Sequence, residues 1–98
     1  MIKVTGSSNV SWYHYDAPEQ MLLIGYNPEE EIWTRVYSYS NVPAAVYEKL
    51  ADAPSKGEVV YANIAYSFQY KLEGELDLRA VEIDQLDTCK KILPHITQ

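Results

Sequence analysis

Along the first forty residues, apolar and polar positions follow the two-residue period of strands. Val10 to Tyr15 alternates, with Trp12 and His14 on one face and Tyr13 and Tyr15 on the other. Asp16-Ala17-Pro18 breaks the run. Met21 to Tyr26 is apolar on both faces and predicts a central strand. Asn27-Pro28 and Glu29-Glu30-Glu31 predict an exposed connection to a third strand, Ile32 to Tyr39. There Trp33, Arg35, Tyr37 and Tyr39 point one way, and Ile32, Thr34, Val36 and Ser38 the other. Three strands with short connections predict an antiparallel meander.

The period then changes. Val42, Val46 and Leu50 are spaced four apart and share one helical face; Ser40-Asn41 offers N-cap chemistry and Pro43 suits a first turn. Asp52-Ala53-Pro54 stops this helix, and Ser55-Lys56-Gly57-Glu58 has the form of a capping box that starts another. From Val60 to Tyr70 helical and strand periods compete; the sequence predicts a short helix to about Ala65 and a strand from Tyr66 to Leu72. Glu73-Gly74 predicts a hairpin turn, Leu76, Leu78 and Ala80 a return strand. Asp84 to Leu93 predicts a last helix with Leu86, Cys89 and Leu93 on one side, ending before Pro94. The expected fold is α+β: an antiparallel sheet of about four or five strands with helices packed on one face. Because the Tyr39-to-helix connection is short, the rings of Tyr37 and Tyr39 are expected to lie under the first helix, with at least one hydroxyl hydrogen-bonded.

Composition narrows the functional classes. The 98 residues suffice for one domain, and 47% hydrophobic with 22% charged residues is an ordinary globular balance. No apolar run approaches the ~18 residues of a membrane span. Met1-Ile2-Lys3-Val4 lacks the apolar segment of a secretory signal, and the lone Cys89 closes no disulfide within the chain, so the expected location is cytoplasmic. A net charge of -6 disfavours nucleic acid, because such binding draws on Lys and Arg neutralising phosphates. Nine tyrosines with Trp12 and Trp33 are the unusual feature, suited to core filling or to recognition.

The order of several short pieces resembles the KTSC domain family. They are Ser7-Ser8-Asn9-Val10, Tyr15-Asp16, Leu22-x-Ile24-x-Tyr26, and Val36-Tyr37-Ser38-Tyr39 with its Y-x-Y motif. Val42-Pro43, Val46-Tyr47, Leu50 and Ala53-Pro54-Ser55-Lys56-Gly57 follow. The resemblance covers roughly residues 4–70 and leaves 71–98 as a C-terminal extension, a hairpin strand and a helix. Members of the family are stand-alone bacterial and phage proteins or a tail on some lysyl-tRNA synthetases, which implies a small binding or interaction domain of bacterial or phage origin. RNA binding has been suggested for the family, but Ala65 stands here where a basic residue often follows the Ile64 position. The Asn27 to Ile32 loop is also longer than the family's tight turn.

No catalytic, cofactor or metal site is expected. His14 and His95 are the two histidines, no Cys/His spacing fits zinc, and no phosphate-loop, dinucleotide or hydrolase signature occurs. Cys89 occupies an apolar helical position, which suits a buried structural thiol better than a nucleophile paired with His95. Two ligand sites are expected instead. Ser55, Lys56 and Gly57 form a helix start favourable to an anion. Trp33, Arg35, Tyr37 and Tyr39 form a face on which an arginine among aromatics stacks on a ring or pairs with a phosphate. The expected partner is therefore a protein or a small anionic, nucleotide-like ligand. A sponge for a nucleotide signal, as a phage anti-defence protein, and an inhibitor of a host protein are the alternatives to a plain interaction module. The charge argument predicts that, in a gel shift at physiological ionic strength, random RNA and duplex DNA run unshifted; tight retardation that fades steeply with added salt refutes it.

Overall fold

Alternation places the apolar residues on two faces of a five-stranded antiparallel sheet in the order β1-β2-β3-β4-β5. The computed structural model describes residues 1–5, 7, 9–26, 33–79, 81 and 85–98. A two-residue edge strand, β1 (Ile2–Lys3), pairs with β2 (Val10–Asp16); β3 (Met21–Tyr26) and β4 (Trp33–Tyr39) complete the expected meander. Next come α1 (Ala44–Asp52) and α2 (Lys56–Val59), and α2 runs on as a π-helical turn, Val60–Ile64. The chain then returns as β5 (Tyr70–Asp77) against β4 and ends in α3 (Cys89–Ile92) with a 3-10 turn, Leu93–His95. The predicted Asn27 to Ile32 connection, with its three glutamates, lies outside the described residues, as do Ala80 and Asp84.

One face of the sheet packs under α1, α2 and the π turn, through Val10, Tyr13, Leu22, Ile24 and Tyr39 against Val42, Leu50, Val60 and Ile64. Strict alternation would put Val10 on the face of Trp12. A bulge between Val10 and Trp12 adds a residue and turns Val10 over to the side of Tyr13. Tyrosines fasten α1 to β2: Tyr47 stacks on Tyr15 at 4.5 Å between ring centroids, and the Tyr15 hydroxyl donates to the Val42 carbonyl at 2.6 Å.

The second face holds Trp12, Leu23, Val36 and Leu76, covered by Leu86, Cys89 and Ile92 of the C-terminal segment. Trp12 organises it. Its indole lies across Gly25, its cross-strand partner, where any Cβ would collide with the ring. The indole N–H donates to Thr34 Oγ1 at 3.0 Å, and the Thr34 hydroxyl donates to the Leu76 carbonyl at 3.2 Å. A buried N–H and a buried hydroxyl thus both find partners, as burial requires. His14 also lies on β2, and its buried Nε2 has no hydrogen-bond partner among the described residues. Burial, helped by the N-terminal ammonium, lowers its pKa, while Asp16 and Asp87 pull the other way.

Several sequence expectations change here. The first helix starts at Ala44 with Pro43 as an N-cap that has no side-chain hydrogen bond; Asn41 instead takes a left-handed φ of 57°. Glu73-Gly74 makes no hairpin turn. Both residues lie inside one continuous β5, where the positive φ of Gly74 serves a bulge against Val36 and Tyr37 and the absent side chain admits the Thr97 carbonyl. Glu75 and Thr97 exchange both backbone hydrogen bonds at 2.8 Å, so the C-terminal residues cover part of the outer edge of β5. The expected last helix shrinks to the turn begun by the Thr88 cap, and Pro94 sits within the 3-10 turn that continues it. Gly25→Ala should destabilise the domain by about 3 kcal/mol, at the upper end of overpacking effects, because the indole that a Cβ would strike is fully buried. Chemical denaturation is the check, and a loss under ~1 kcal/mol would show that Trp12 yields.

Candidate functional site: a tyrosine-lined groove

Short connections decide which part of the first face is left open. Only four residues separate α1 from the end of β4, so the helix folds back over the Tyr39 end of the strand and leaves the Trp33 end uncovered. Burial along β4 follows: Tyr39 is 3% exposed, Tyr37 half-buried, Arg35 exposed, and Trp33 38% exposed. Between this open sheet surface and the π turn runs a groove of about 420 Å³. Its sheet side is Tyr26, Arg35, Tyr37, Tyr39 and Tyr70; its helical wall is Gly57, Val60, Tyr61, Ala65 and Tyr66, with Asn9 and Val10 also lining it.

The π geometry shapes that wall. The Ala65 amide donates to the Val60 carbonyl at 2.8 Å, an i→i+5 bond that widens the turn. Residues five apart then come together, and Tyr61 and Tyr66 meet edge to face at 5.8 Å while standing 72% and 81% exposed. Val60 and Ile64 point into the core meanwhile, so the turn is anchored on one side and aromatic on the other.

On the floor, Tyr37 meets Tyr26 edge to face at 5.7 Å and Tyr70 at 6.0 Å. The hydroxyls of Tyr26 and Tyr39 hydrogen-bond each other at 2.7 Å. Burial raises the pKa of both, so both remain neutral phenols across the physiological range. No carboxylate lines the groove among the described residues, although the chain is acidic overall. The described ion pairs join Arg79 to Asp77 and Lys91 to Asp87, and Arg35 takes part in neither.

The structure divides the residues expected to bind a ligand. Arg35, Tyr37, Tyr39 and Gly57 come together in the groove. Trp33 lines a neighbouring depression with Leu72, Gly74 and Glu75 that also reaches Arg35. Ser55 and Lys56 line a separate one beside Val4, Ser7 and Tyr13. Lys56 is committed internally: its ammonium donates to the carbonyls of Ala51 at 2.7 Å and Ala53 at 2.8 Å, capping the end of α1. Ser55 Oγ accepts from the Glu58 amide at 3.4 Å, which is the Ser55 half of the predicted capping box. Of the Y-x-Y pair, Tyr39 is buried with its hydroxyl bonded, as expected, whereas Tyr37 is a half-buried wall of the groove. Tyr61, Tyr66 and Tyr70 escaped sequence reasoning, because the competing periods over 60–70 hid the face on which they fall. Elsewhere, burial pushes the Cys89 thiol up to about 12, the state of an inert structural cysteine, while His95 stands exposed.

The architecture defines a small α+β domain with an open antiparallel sheet and an aromatic groove beside its helical layer. The KTSC domain model matches residues 6–68, and the chain belongs to that family. A crystal structure of a KTSC domain protein from Yersinia pestis superposes with a TM-score of 0.62 at 24% identity, covering 74% of this chain and 94% of that one; it shares the fold. No curated protein matches the chain. Among the described residues, no helix is long and apolar enough to cross a membrane, and no cluster of three or more His, Cys, Asp and Glu side chains is placed to hold a metal ion.

Lys56→Ala should lower stability by about 2 kcal/mol, since two hydrogen bonds from a charged donor to the end of a helix disappear. Thermal unfolding measures it, and an unchanged melting temperature would mean that the cap adds nothing over water.

Proposed function

We propose that this domain is a non-enzymatic binding module that holds a small, ring-bearing anion in the tyrosine groove. One observation carries the reading: in a chain of net charge -6, the groove has a single cationic side chain, Arg35, among tyrosine rings and no described carboxylate. Aromatic faces and edges hold a planar ring, and a guanidinium pairs with a phosphate or carboxylate in a fixed fork. The volume falls within the ~300–1,000 Å³ of small-ligand sites. Binding without turnover fits the lining, which offers neutral phenols, one guanidinium and apolar groups, and no described thiol, imidazole or carboxylate to act as nucleophile or base. Retention of a small nucleotide signal, the role of a sponge, is served by such a site. An unpaired thiol with no partner cysteine suits a reducing, cytoplasmic compartment.

A thermal-shift series tests this. Phenyl phosphate or AMP, at a hundredfold excess over its Kd, should stabilise the chain by about 2.7 kcal/mol, a rise of roughly 10–20 °C for a domain of this size. Inorganic phosphate alone should do little. Arg35→Ala should abolish the shift, while Lys56→Ala, its ammonium turned to α1, should keep it. If neither ring-bearing anion raises the melting temperature, the exposed tyrosines belong to a protein interface and the small-ligand reading fails.

A further inference from the structure

The two hydroxyls at the groove floor have an unfinished hydrogen-bond account. A phenol carries one proton and two lone pairs. In the Tyr26–Tyr39 pair, one proton is spent between the two oxygens, 2.7 Å apart, and either oxygen can be the donor. The other proton has no acceptor among the described residues, and the oxygen that gave its own proton to the pair keeps lone pairs to accept with. Both residues line the groove. The floor therefore presents, side by side, one hydroxyl that donates and one oxygen that accepts. A bound ring with a bare hydrocarbon edge would leave these groups without water or a partner, which is costly in a partly buried site.

Strand register places this pair and the cation on one stretch of the sheet. Arg35 is the cross-strand partner of Tyr26 and lies four residues along β4 from Tyr39. At ~3.3 Å per residue about 13 Å of backbone separates Arg35 from Tyr39, while Tyr26 stands directly opposite Arg35. Tyr37 lies between, half-buried, with Tyr70 against it.

Building on the groove as the ligand site, we infer that its ligand is a nucleotide, recognised by the adjacent donor and acceptor on its base. Those two atoms meet the Tyr26 and Tyr39 hydroxyls, and the phosphate meets Arg35. Either hydroxyl can be the donor within the pair, so the pair suits a donor–acceptor edge in either order. It selects a nucleobase over a plain aromatic ring and does not select one base over another.

Isothermal titration of the full chain with AMP, UMP and phenyl phosphate tests this, with Tyr26→Phe and Tyr39→Phe beside the unaltered protein. Each variant keeps the ring and removes one hydroxyl, and its thermal unfolding confirms that it folds. Both nucleotides should bind about tenfold more tightly than phenyl phosphate, the equivalent of ~1.4 kcal/mol. In either variant the advantage of the nucleotides over phenyl phosphate should shrink, the ratio of their affinities falling towards one. Equal affinity for all three ligands, or an advantage that survives both variants, overturns the role of the hydroxyl pair and leaves the groove reading standing. If none of the three binds, both readings fall.

Discussion

The burial of Trp12 is the constraint on which the rest of the sheet depends. A fully buried indole needs room for its ring and an acceptor for its N–H. Gly25 supplies the room on β3, and Thr34 supplies the acceptor on β4 while passing its own proton to Leu76 on β5. One side chain on β2 thereby fixes three further strands. A slip of β4 by one residue would exchange its two faces. Thr34, Val36 and Ser38 would then face the helices, and Arg35, Tyr37 and Tyr39 would enter the apolar second core, where burial of a guanidinium is costly. The aromatic groove exists on one face because the indole is satisfied on the other.

The same strand serves stability and recognition in succession. Tyr39 is core, Tyr37 is half wall and half core, and Arg35 and Trp33 are surface. The gradient reflects how far the helical layer reaches, since α1 must fold back at once and the π turn stops short of the far end. Family motif residues stand largely on the structural side of this division. Ser7 Oγ accepts from the Val10 amide at 3.1 Å, Tyr15 holds α1, and Lys56 caps it. Part of the groove is made elsewhere: Tyr70 lies beyond the segment that matches the family model, and β5, which carries it, belongs to the C-terminal third of the chain.

Much of this was determined by the sequence itself. The two-residue period over Val10–Tyr15 and Ile32–Tyr39 and the apolar run Met21–Tyr26 specified three strands, and the fourfold spacing of Val42, Val46 and Leu50 specified α1. The Ser55–Glu58 box marked the start of α2 correctly, because caps and periods are local and read from neighbours alone. Arg35 beside Tyr37 and Tyr39 was legible as a candidate surface for the same reason. Tertiary structure decided the rest. The bulge that turns Val10 over, the bulge that makes Gly74 part of a strand, and the i→i+5 bond that turns Tyr61 and Tyr66 into one wall are responses to packing across the sheet, to which local pattern is blind. Lys56 looked like an anion ligand by type and position, and only its distance to the carbonyls of α1 showed where its charge is used. The joining of the Tyr26 and Tyr39 hydroxyls across two strands likewise depends on register, and register is a property of the folded sheet.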